Sequence, residues 1–261
     1  KVIHNILSKK KLTNISYCPE RIVQGYAVKE LKNLPQIISA FDKKSEKKAI
    51  KLFSKITKKN IICSIGEAEM VKLMSNSWRY IQFASANQFY MICSQNNLDF
   101  NNVRKIMTDS YARGNGLPGA GFAAGPCLLK DTMQLYAFSK NIFSMGNASM
   151  LINEGMPSFI IEQIKKKFDL KKKTIGILGM SFKANIDDKR DSLSYKIFNL
   201  LRYNAKKVYC SDEFINDNKF VSKNKLIKNS DIIIIATPHD DYKKLKFSSK
   251  KIIIDIWSIY N

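Results

Sequence analysis

Apolar residues in the last third of the chain come in short unbroken runs rather than in alternation with polar ones. "TIGILGMSF", "KKVYCSD", "DIIIIATPH" and "KIIIDIW" each hold a run the length of a strand, bounded by polar or turn-forming residues. Unbroken runs of that length suit strands buried on both faces. Between the first two lies "DSLSYKIFNLLRY", whose Tyr195, Ile197, Phe198 and Leu201 are expected to point largely inward from a helix. Strand and helix in alternation predict an α/β unit, an open parallel sheet with helices on both faces. Such sheets take ligands beyond the carboxyl ends of their strands. The places to look are therefore Met180 to Lys183, Cys210 to Asp212, and Thr237 to His239.

The middle of the chain has a helical period. Ser64 followed by Glu67 is a capping-box signature and predicts a helix beginning near Gly66. Val71, Met74, Trp78 and Ile81 recur at intervals of three and four, and the pattern continues through Phe89, Tyr90 and Ile92 to about Gln95. That is roughly 30 residues, or about 45 Å at ~1.5 Å each. Phe83 and Phe89 widen the apolar surface beyond one stripe, which predicts a central strut covered by neighbours or by a second subunit. "NNVRKIMTDSYA", "LKDTMQLYAFSK" and "NASMLINEGMPSFIIEQIKKKF" predict further helices. Ahead of the strut, "NISYCPERI" is short and extended, "EKKAIKLFSKIT" is helical and "NIICS" is a short strand. The expected division is 1–64, 65–170 and 171–261.

Composition narrows the classes. Hydrophobic residues make up 45% of 261, enough for a sizeable core, and no apolar run approaches a membrane span. The opening "KVIHNILSKKKL" starts in mid-helix style, with no initiator Met and no signal-peptide pattern, so the natural chain is expected to begin upstream. Five scattered cysteines with no CxxC pair, beside two histidines, argue against a disulfide framework or a zinc site and for a reduced, cytoplasmic protein. The net charge of +22 is dispersed along the chain rather than gathered into one block interleaved with aromatics. Solvated lysine-rich faces are the expectation, with no nucleic-acid partner, and the charge would aid the approach of an anionic substrate.

The candidate chemistry centres on "PGAGFAAGPCLLKDT". Gly119, Gly121 and Gly125 permit close backbone approach, and Pro126 places Cys127 at the first turn of the following helix. The partial positive charge of a helix N-terminus and Lys130 would lower the thiol pKa and make Cys127 an accessible nucleophile. The alternative is a small buried hydrophobe, as most free cysteines are. Asp131 lies one turn on and could position or deprotonate a water, or simply complement the helix dipole. Lys72 and Asn76 form an i, i+4 pair that could stabilise an oxyanion, or be an ordinary solvated pair. "SFKANIDDKRDS" groups Lys183, Asp187, Asp188 and Arg190 after a strand end, as a phosphate site or a charged loop. Gly176 and Gly179 match a dinucleotide fingerprint only weakly, and a tight turn explains them equally well.

Taken together, "YCPERIVQGYAVKELKNLPQII", "GEAEMVKLMSNSWR", "PGAGFAAGPCLLKDT", "GILGMSFKANIDDKRDS", "SDIIIIATPHDDY" and "IIIDIW" resemble the UDP-glucose/GDP-mannose dehydrogenase family in the family's own order. The resemblance implies oxidation of a sugar C6 alcohol to a carboxylate with NAD as cofactor, on a UDP-hexose or UDP-N-acetylhexosamine. It makes Cys127 the nucleophile that forms a thiohemiacetal and then a thioester, with Lys72 as the oxyanion-stabilising lysine and Asn76 as its partner. Asp131 matches the carboxylate assisting water, and Glu20 a glutamate active in hydrolysis. Lys183, Gly121, Phe122 and Arg190 fall on the substrate side, Lys130 on the cofactor side, and Arg113 matches an arginine reaching a neighbouring subunit's substrate. The long helix would be the dimerisation helix. The sequence departs from the family in lacking GxGxxG, so residues 1–64 are expected to be the end of a Rossmann domain and the chain by itself a poor NAD binder. "AAGPC" replaces the more usual "GGSC". A non-catalytic, nucleotide-sugar-binding, oligomerising fragment is the alternative.

Overall fold

The computed structural model describes residues 2–10 and 14–260. Lys1, Lys11 and Leu12, part of the opening segment discussed above, lie outside the described residues. By compactness the chain forms two units, 1–75 and 76–261.

The first unit opens with helix α1 (Val2–Lys9) and carries a three-stranded sheet of β1 (Ser16–Tyr17), β2 (Gln36–Ala40) and β3 (Asn60–Ile62). β1 pairs antiparallel with β2, and β2 parallel with β3, with Ile37 opposite Ile61. Helix α2 (Ala27–Asn33) precedes β2, and α3 (Lys43–Phe53) connects β2 to β3. The Asp42 carboxylate caps α3, accepting the Ser45 N–H at 2.8 Å. The first strand, the helix and the last strand were expected from sequence; α2 and β2 were not.

Helix α4 (Ile65–Gln95) is the long strut, 31 residues, and passes from the first unit into the second. The capping box forms: Ser64 N–H donates to the Glu67 carboxylate at 2.8 Å, and Glu67 N–H to the Ser64 hydroxyl at 3.3 Å. The bond from the Ser64 amide, then that from its hydroxyl, holds the Glu67 carboxyl below its usual range. The stripe expected to be the packed face is not fully covered within the chain: Met74 is 53% and Trp78 59% exposed. The buried positions include Ser77, Tyr80, Ala84 and Asn87, again at spacings of three and four, together with Ala68, Ala86 and Cys93. An apolar surface wider than one stripe does not reveal which side of the helix is packed, and small residues such as Ser77 and Ala84 allow the closer backbone approach.

The second unit continues with α5 (Phe100–Thr108), α6 (Leu128–Phe138) and α7 (Ser144–Lys165, with Pro157 inside it). It ends in a four-stranded sheet of β4 (Thr174–Leu178), β5 (Lys207–Ser211), β6 (Ile232–Ile235) and β7 (Ile252–Asp255), in the order β5-β4-β6-β7. Every pairing in it is parallel, with Ile177 opposite Cys210 on one side and Ile234 on the other. α8 (Leu193–Asn204) and α9 (Lys223–Asn229) make the crossovers. The alternation along β6 divides the core. Ile232 and Ile234 pack with Ile160 and Ile164 of α7 and Ile197 and Leu201 of α8. Ile233 and Ile235 pack with Leu226 of α9 and Tyr242. A helical crossover was open between β6 and β7; the chain there forms only a 3-10 turn, Asp240–Lys244, whose Tyr242 does the covering.

The strand ends are tied together by one buried carboxylate. Asp212, just past β5, accepts the N–H groups of Met180 at 2.6 Å and Ser181 at 3.0 Å from the turn after β4. Its other oxygen accepts those of Phe214 and Ile215, at 2.8 and 3.0 Å. Burial alone would raise its pKa, but hydrogen bonds from His239 and from the backbone outweigh that and hold it below the usual carboxylate range. Beyond β6, the Thr237 hydroxyl donates to the Ser181 carbonyl at 2.7 Å.

Two outcomes follow from this packing. Gly176 in β4 faces α9 so closely that a Cβ would meet the Leu226 side chain and the Ser230 hydroxyl, the latter at 2.6 Å. Gly176→Ala is expected to cost roughly 1–3 kcal/mol, read as a lower urea midpoint at unchanged m. Asp212 has a lowered folded pKa, so its stabilisation is fully present above its unfolded value of about 4 and is lost as pH falls through the folded value. Asp212→Asn is expected to cost about 1–3 kcal/mol at neutral pH and to flatten the acid limb below about pH 4 in chemical unfolding across pH.

Candidate active site

The glycine-rich loop is held from below by two buried asparagines. Asn87 of α4 accepts the Gly121 N–H at 2.9 Å and donates to the Gly121 carbonyl at 3.0 Å, so both backbone groups of one residue are clamped. The same Asn87 amide donates to Asn153 of α7 at 2.8 Å, and Asn153 donates to the Tyr80 carbonyl at 3.0 Å. Trp257 covers Gly121 so closely that a Cβ there would collide with its ring, whose N–H is itself tied to the Ala236 carbonyl at 2.8 Å. Phe122 enters the main hydrophobic core beside Met156. Gly121 and Phe122, expected on the substrate side, are thus both interior, and the loop's outward element begins after them.

That element is Cys127. It occupies the N-cap position of α6 and is exposed, so it is not the small buried hydrophobe that was the alternative. Cys93 and Cys210 are buried and Cys18 and Cys63 half-buried, and burial pushes the Cys210 thiol up to about 12. Asp131, one turn into α6, is 4% exposed. Its carboxylate accepts from the Asn76 amide at 2.5 Å and pairs with Lys130 at 3.2 Å. Each carboxylate oxygen keeps a lone pair for a further donor. A loop from the sheet approaches on another side: the Gly125 N–H meets the Asp191 carbonyl at 3.5 Å, and Gly125, in a left-handed conformation at φ +103°, leaves no room for a side chain against Phe182. Arg190 of that loop is gripped by Asp188 through contacts of 3.0 and 2.6 Å, and the Asp188 carboxylate, with a lesser electrostatic contribution from Cys127, raises its pKa. Cys127, Lys130, Asp131, Asn76 and Arg190 are therefore gathered within the second unit.

Glu20 and Lys72 are gathered within the first. The residues flanking Glu20 are anchored: Arg21 donates to the Pro35 carbonyl at 2.8 Å, and Gln36 donates to the Pro19 carbonyl at 3.2 Å. Lys72 of α4 then donates to the Glu20 carbonyl at 2.7 Å and lies 3.7 Å from its carboxylate. Arg113 stands apart on a 3-10 turn, exposed and over the Tyr111 ring. Lys183 sits half-buried on the turn after β4.

Of the three strand ends expected to meet a ligand, two face inward. Asp212 and His239 have fully buried side chains and brace the third, which carries Lys183. The weak glycine fingerprint after β4 resolves as a tight turn, because the amides that would receive a pyrophosphate already bind Asp212. The turn after β2 likewise enters its helix with the Asp42 carboxylate on the amides. Neither of these two turns thus fits a dinucleotide cradle. Sequence reasoning missed Asn87 and Asn153, whose one signal was their polarity at positions where the helical period is otherwise apolar; it reached Asp212 and His239 as strand-end positions expected to meet a ligand, and did not foresee that they brace the turn instead. Among the described residues no group of three or more His, Cys, Asp or Glu could hold a metal ion, and no helix is long and apolar enough to cross a membrane.

Comparison with known proteins agrees with this architecture. The central-domain model of the UDP-glucose/GDP-mannose dehydrogenase family matches residues 66–154, and that family's UDP-binding-domain model matches residues 176–261. The UDP-N-acetyl-D-mannosamine dehydrogenase of Methanocaldococcus jannaschii is 33% identical, over 99% of this chain and 63% of its own length. The solved structure of the UDP-D-ManNAc dehydrogenase from Pyrococcus horikoshii superposes with a TM-score of 0.88 at 27% identity, over 100% of this chain and 67% of that one. A UDP-glucose dehydrogenase from Pyrobaculum islandicum shares the fold, with a TM-score of 0.84 at 23% identity, over 94% of this chain and 60% of that one. The chain thus spans about three fifths of the length of the curated relatives it matches. With both family domains matched in order and the same fold around them, the chain belongs to the UDP-glucose/GDP-mannose dehydrogenase family.

Proposed function

We propose that this chain is the catalytic and sugar-nucleotide portion of an NAD-dependent nucleotide-sugar 6-dehydrogenase, which converts the C6 alcohol of a UDP-sugar to a uronate. The observation that carries the proposal is the exposed Cys127 thiol at a helix start, one turn from a buried carboxylate fixed by Asn76. Relatives named for UDP-N-acetyl-D-mannosamine favour a UDP-N-acetylhexosamine over a UDP-hexose. The proposed organisation is a Rossmann-domain end over 1–64, a central helical domain over 65–170 and a nucleotide-sugar domain over 171–261.

In this proposal the Cys127 sulfur adds to the C6 aldehyde, forming a C–S bond and a thiohemiacetal. Lys72 and Asn76 supply the donors for the developing oxyanion. Water then displaces the sulfur from the acyl thioester, its proton taken by Asp131 with Glu20 assisting, and the thiol is regenerated as the carboxylate leaves. Removal of hydride is the chemistry that NAD would supply when bound, and the turns after β2 and β4 among the described residues form no cradle for it. Lys183 and Arg190 serve the nucleotide sugar, and Arg113 a neighbouring subunit's substrate. Cytoplasmic localisation is part of the same proposal. The exposed stripe on α4, with Trp78 59%, Phe89 40% and Ile92 48% exposed, supports a homodimer formed along that helix.

In the whole enzyme, Cys127→Ala is expected to lower uronate formation by at least about 10³-fold while calorimetric affinity for the UDP-sugar stays within about twofold of wild type. Full activity in that variant would sink the mechanism. Trp78→Glu is expected to shift the protein from dimer to monomer in light scattering at micromolar concentration, and an unchanged mass would exclude α4 as the dimer interface.

A further inference from the structure

His239 is one of two histidines in the chain, and its ring is fully buried. Its surroundings admit one neutral tautomer. The Asn185 N–H points at Nδ1 from 2.9 Å, and because an amide N–H only donates, Nδ1 must carry the lone pair. The ring proton is then on Nε2, 3.2 Å from the Asp212 carboxylate and 3.4 Å from the Ser181 hydroxyl. The rings of Phe214 and Tyr242, centred 4.9 and 5.1 Å away, fix its plane.

The polar contacts of this imidazole bear on the segment around Lys183. Asp212, its acceptor, holds the amides of Met180 and Ser181 on one side of the lysine. Asn185, its donor, lies two residues beyond the lysine on the other. Asn185 is in the left-handed region at φ +59°, which asparagine tolerates better than most non-glycine residues, and its hydrogen bonds fix it there. The hold is threefold: its N–H to His239, its side-chain amide to the Asp240 carboxylate at 2.6 Å, and the Asp240 N–H back to its side-chain oxygen at 3.1 Å. The Ser181 hydroxyl completes the turn by donating to the Lys183 carbonyl at 2.8 Å.

We propose that His239 is the positioning residue of the nucleotide-sugar site: a neutral, Nε2-protonated imidazole that fixes the turn over residues 180–185 and thereby places Lys183 against the ligand's anionic oxygens. The proposal rests on the substrate side assigned to Lys183 above. Because Asp212 already occupies the Met180 and Ser181 amides, those groups have no capacity left for a phosphate. The lysine side chain is what this turn offers an anion, and its backbone placement is set by the imidazole.

The test titrates uridine diphosphate into the wild-type chain, His239→Phe, Lys183→Ala and the double variant, and follows backbone amide exchange in the first two. Phenylalanine keeps the ring packing and removes both nitrogens. The expected result is a loss of protection confined to residues 181–185, with Ile232–Ile235 unchanged. UDP affinity falls about tenfold in each single variant and no further in the double, since both act through one position. Unchanged exchange at the turn, wild-type affinity in His239→Phe, or additive losses in the double variant would each overturn the role. If His239→Phe loses protection throughout the sheet, the imidazole nitrogen resonances of the wild-type protein decide: a protonated Nε2 with bare Nδ1 supports the proposal and the reverse overturns it. A wild-type chain that takes up no UDP sinks the substrate assignment, while the exchange result still decides whether His239 holds the turn.

Discussion

A parallel sheet has to be covered on both faces, because its crossovers place a helix against each side and its strands are apolar throughout. In the second unit this requirement fixes most of what surrounds β4 to β7. Consecutive isoleucines of β6 alternate between two separate cores, one roofed by α7 and α8 and the other by α9 and Tyr242. Gly176 belongs to the same constraint, since α9 packs close enough to leave no space for a side chain. Once both faces are sealed, the polar backbone at the carboxyl ends of the strands must find partners within a small buried volume. Asp212, Thr237 and His239 supply them.

The same logic explains why the turns after β2 and β4 do not suit a dinucleotide. A helix or turn with unsatisfied amides attracts an anion, and here the anion is built in. Asp42 fills the amides at the start of α3, and Asp212 those of the turn after β4. What remains at the carboxyl edge of the sheet is a hydrogen-bonded turn that carries Lys183. The glycine-rich loop before Cys127 is treated in a comparable way by neutral groups: Asn87 meets both the donor and the acceptor of Gly121, which a charged residue could not do. Buried polar groups of this kind specify one loop conformation, and Cys127 inherits its exposure from that conformation.

Much of this was legible in the chain before any coordinates. The isoleucine runs announced the sheet, and Ser64 with Glu67 announced the start of α4 to within one residue. The glycines before Cys127 announced a loop feeding a helix. β2 was not legible, because Pro35 and the short "QIISA" that follows resemble a loop as much as a strand. α2 was obscured by its length, seven residues with none buried. On α4 the largest apolar side chains suggested a packed face, whereas the buried residues include Ser77, Tyr80, Ala84 and Asn87. Hydrophobic size indicates where burial is favourable; it does not indicate which face a neighbouring helix can approach most closely.

For the site, sequence determined the inventory: a cysteine at a helix start, a carboxylate one turn later, a lysine and an asparagine four apart, and a lysine after a strand. Those are local relations, set by helical and strand geometry over a few residues. Tertiary structure decided which of them meet. It seated the Asn76 amide on Asp131 across 55 residues of sequence and Lys72 on Glu20 across 52. It turned Phe122 inward and Cys127 outward, and it made His239 and Asp212 supports instead of ligands. These outcomes depend on hydrogen bonds between residues far apart in the chain, whose partners are chosen by packing and by the need to satisfy buried polar groups, and neither leaves a periodic trace in a single sequence.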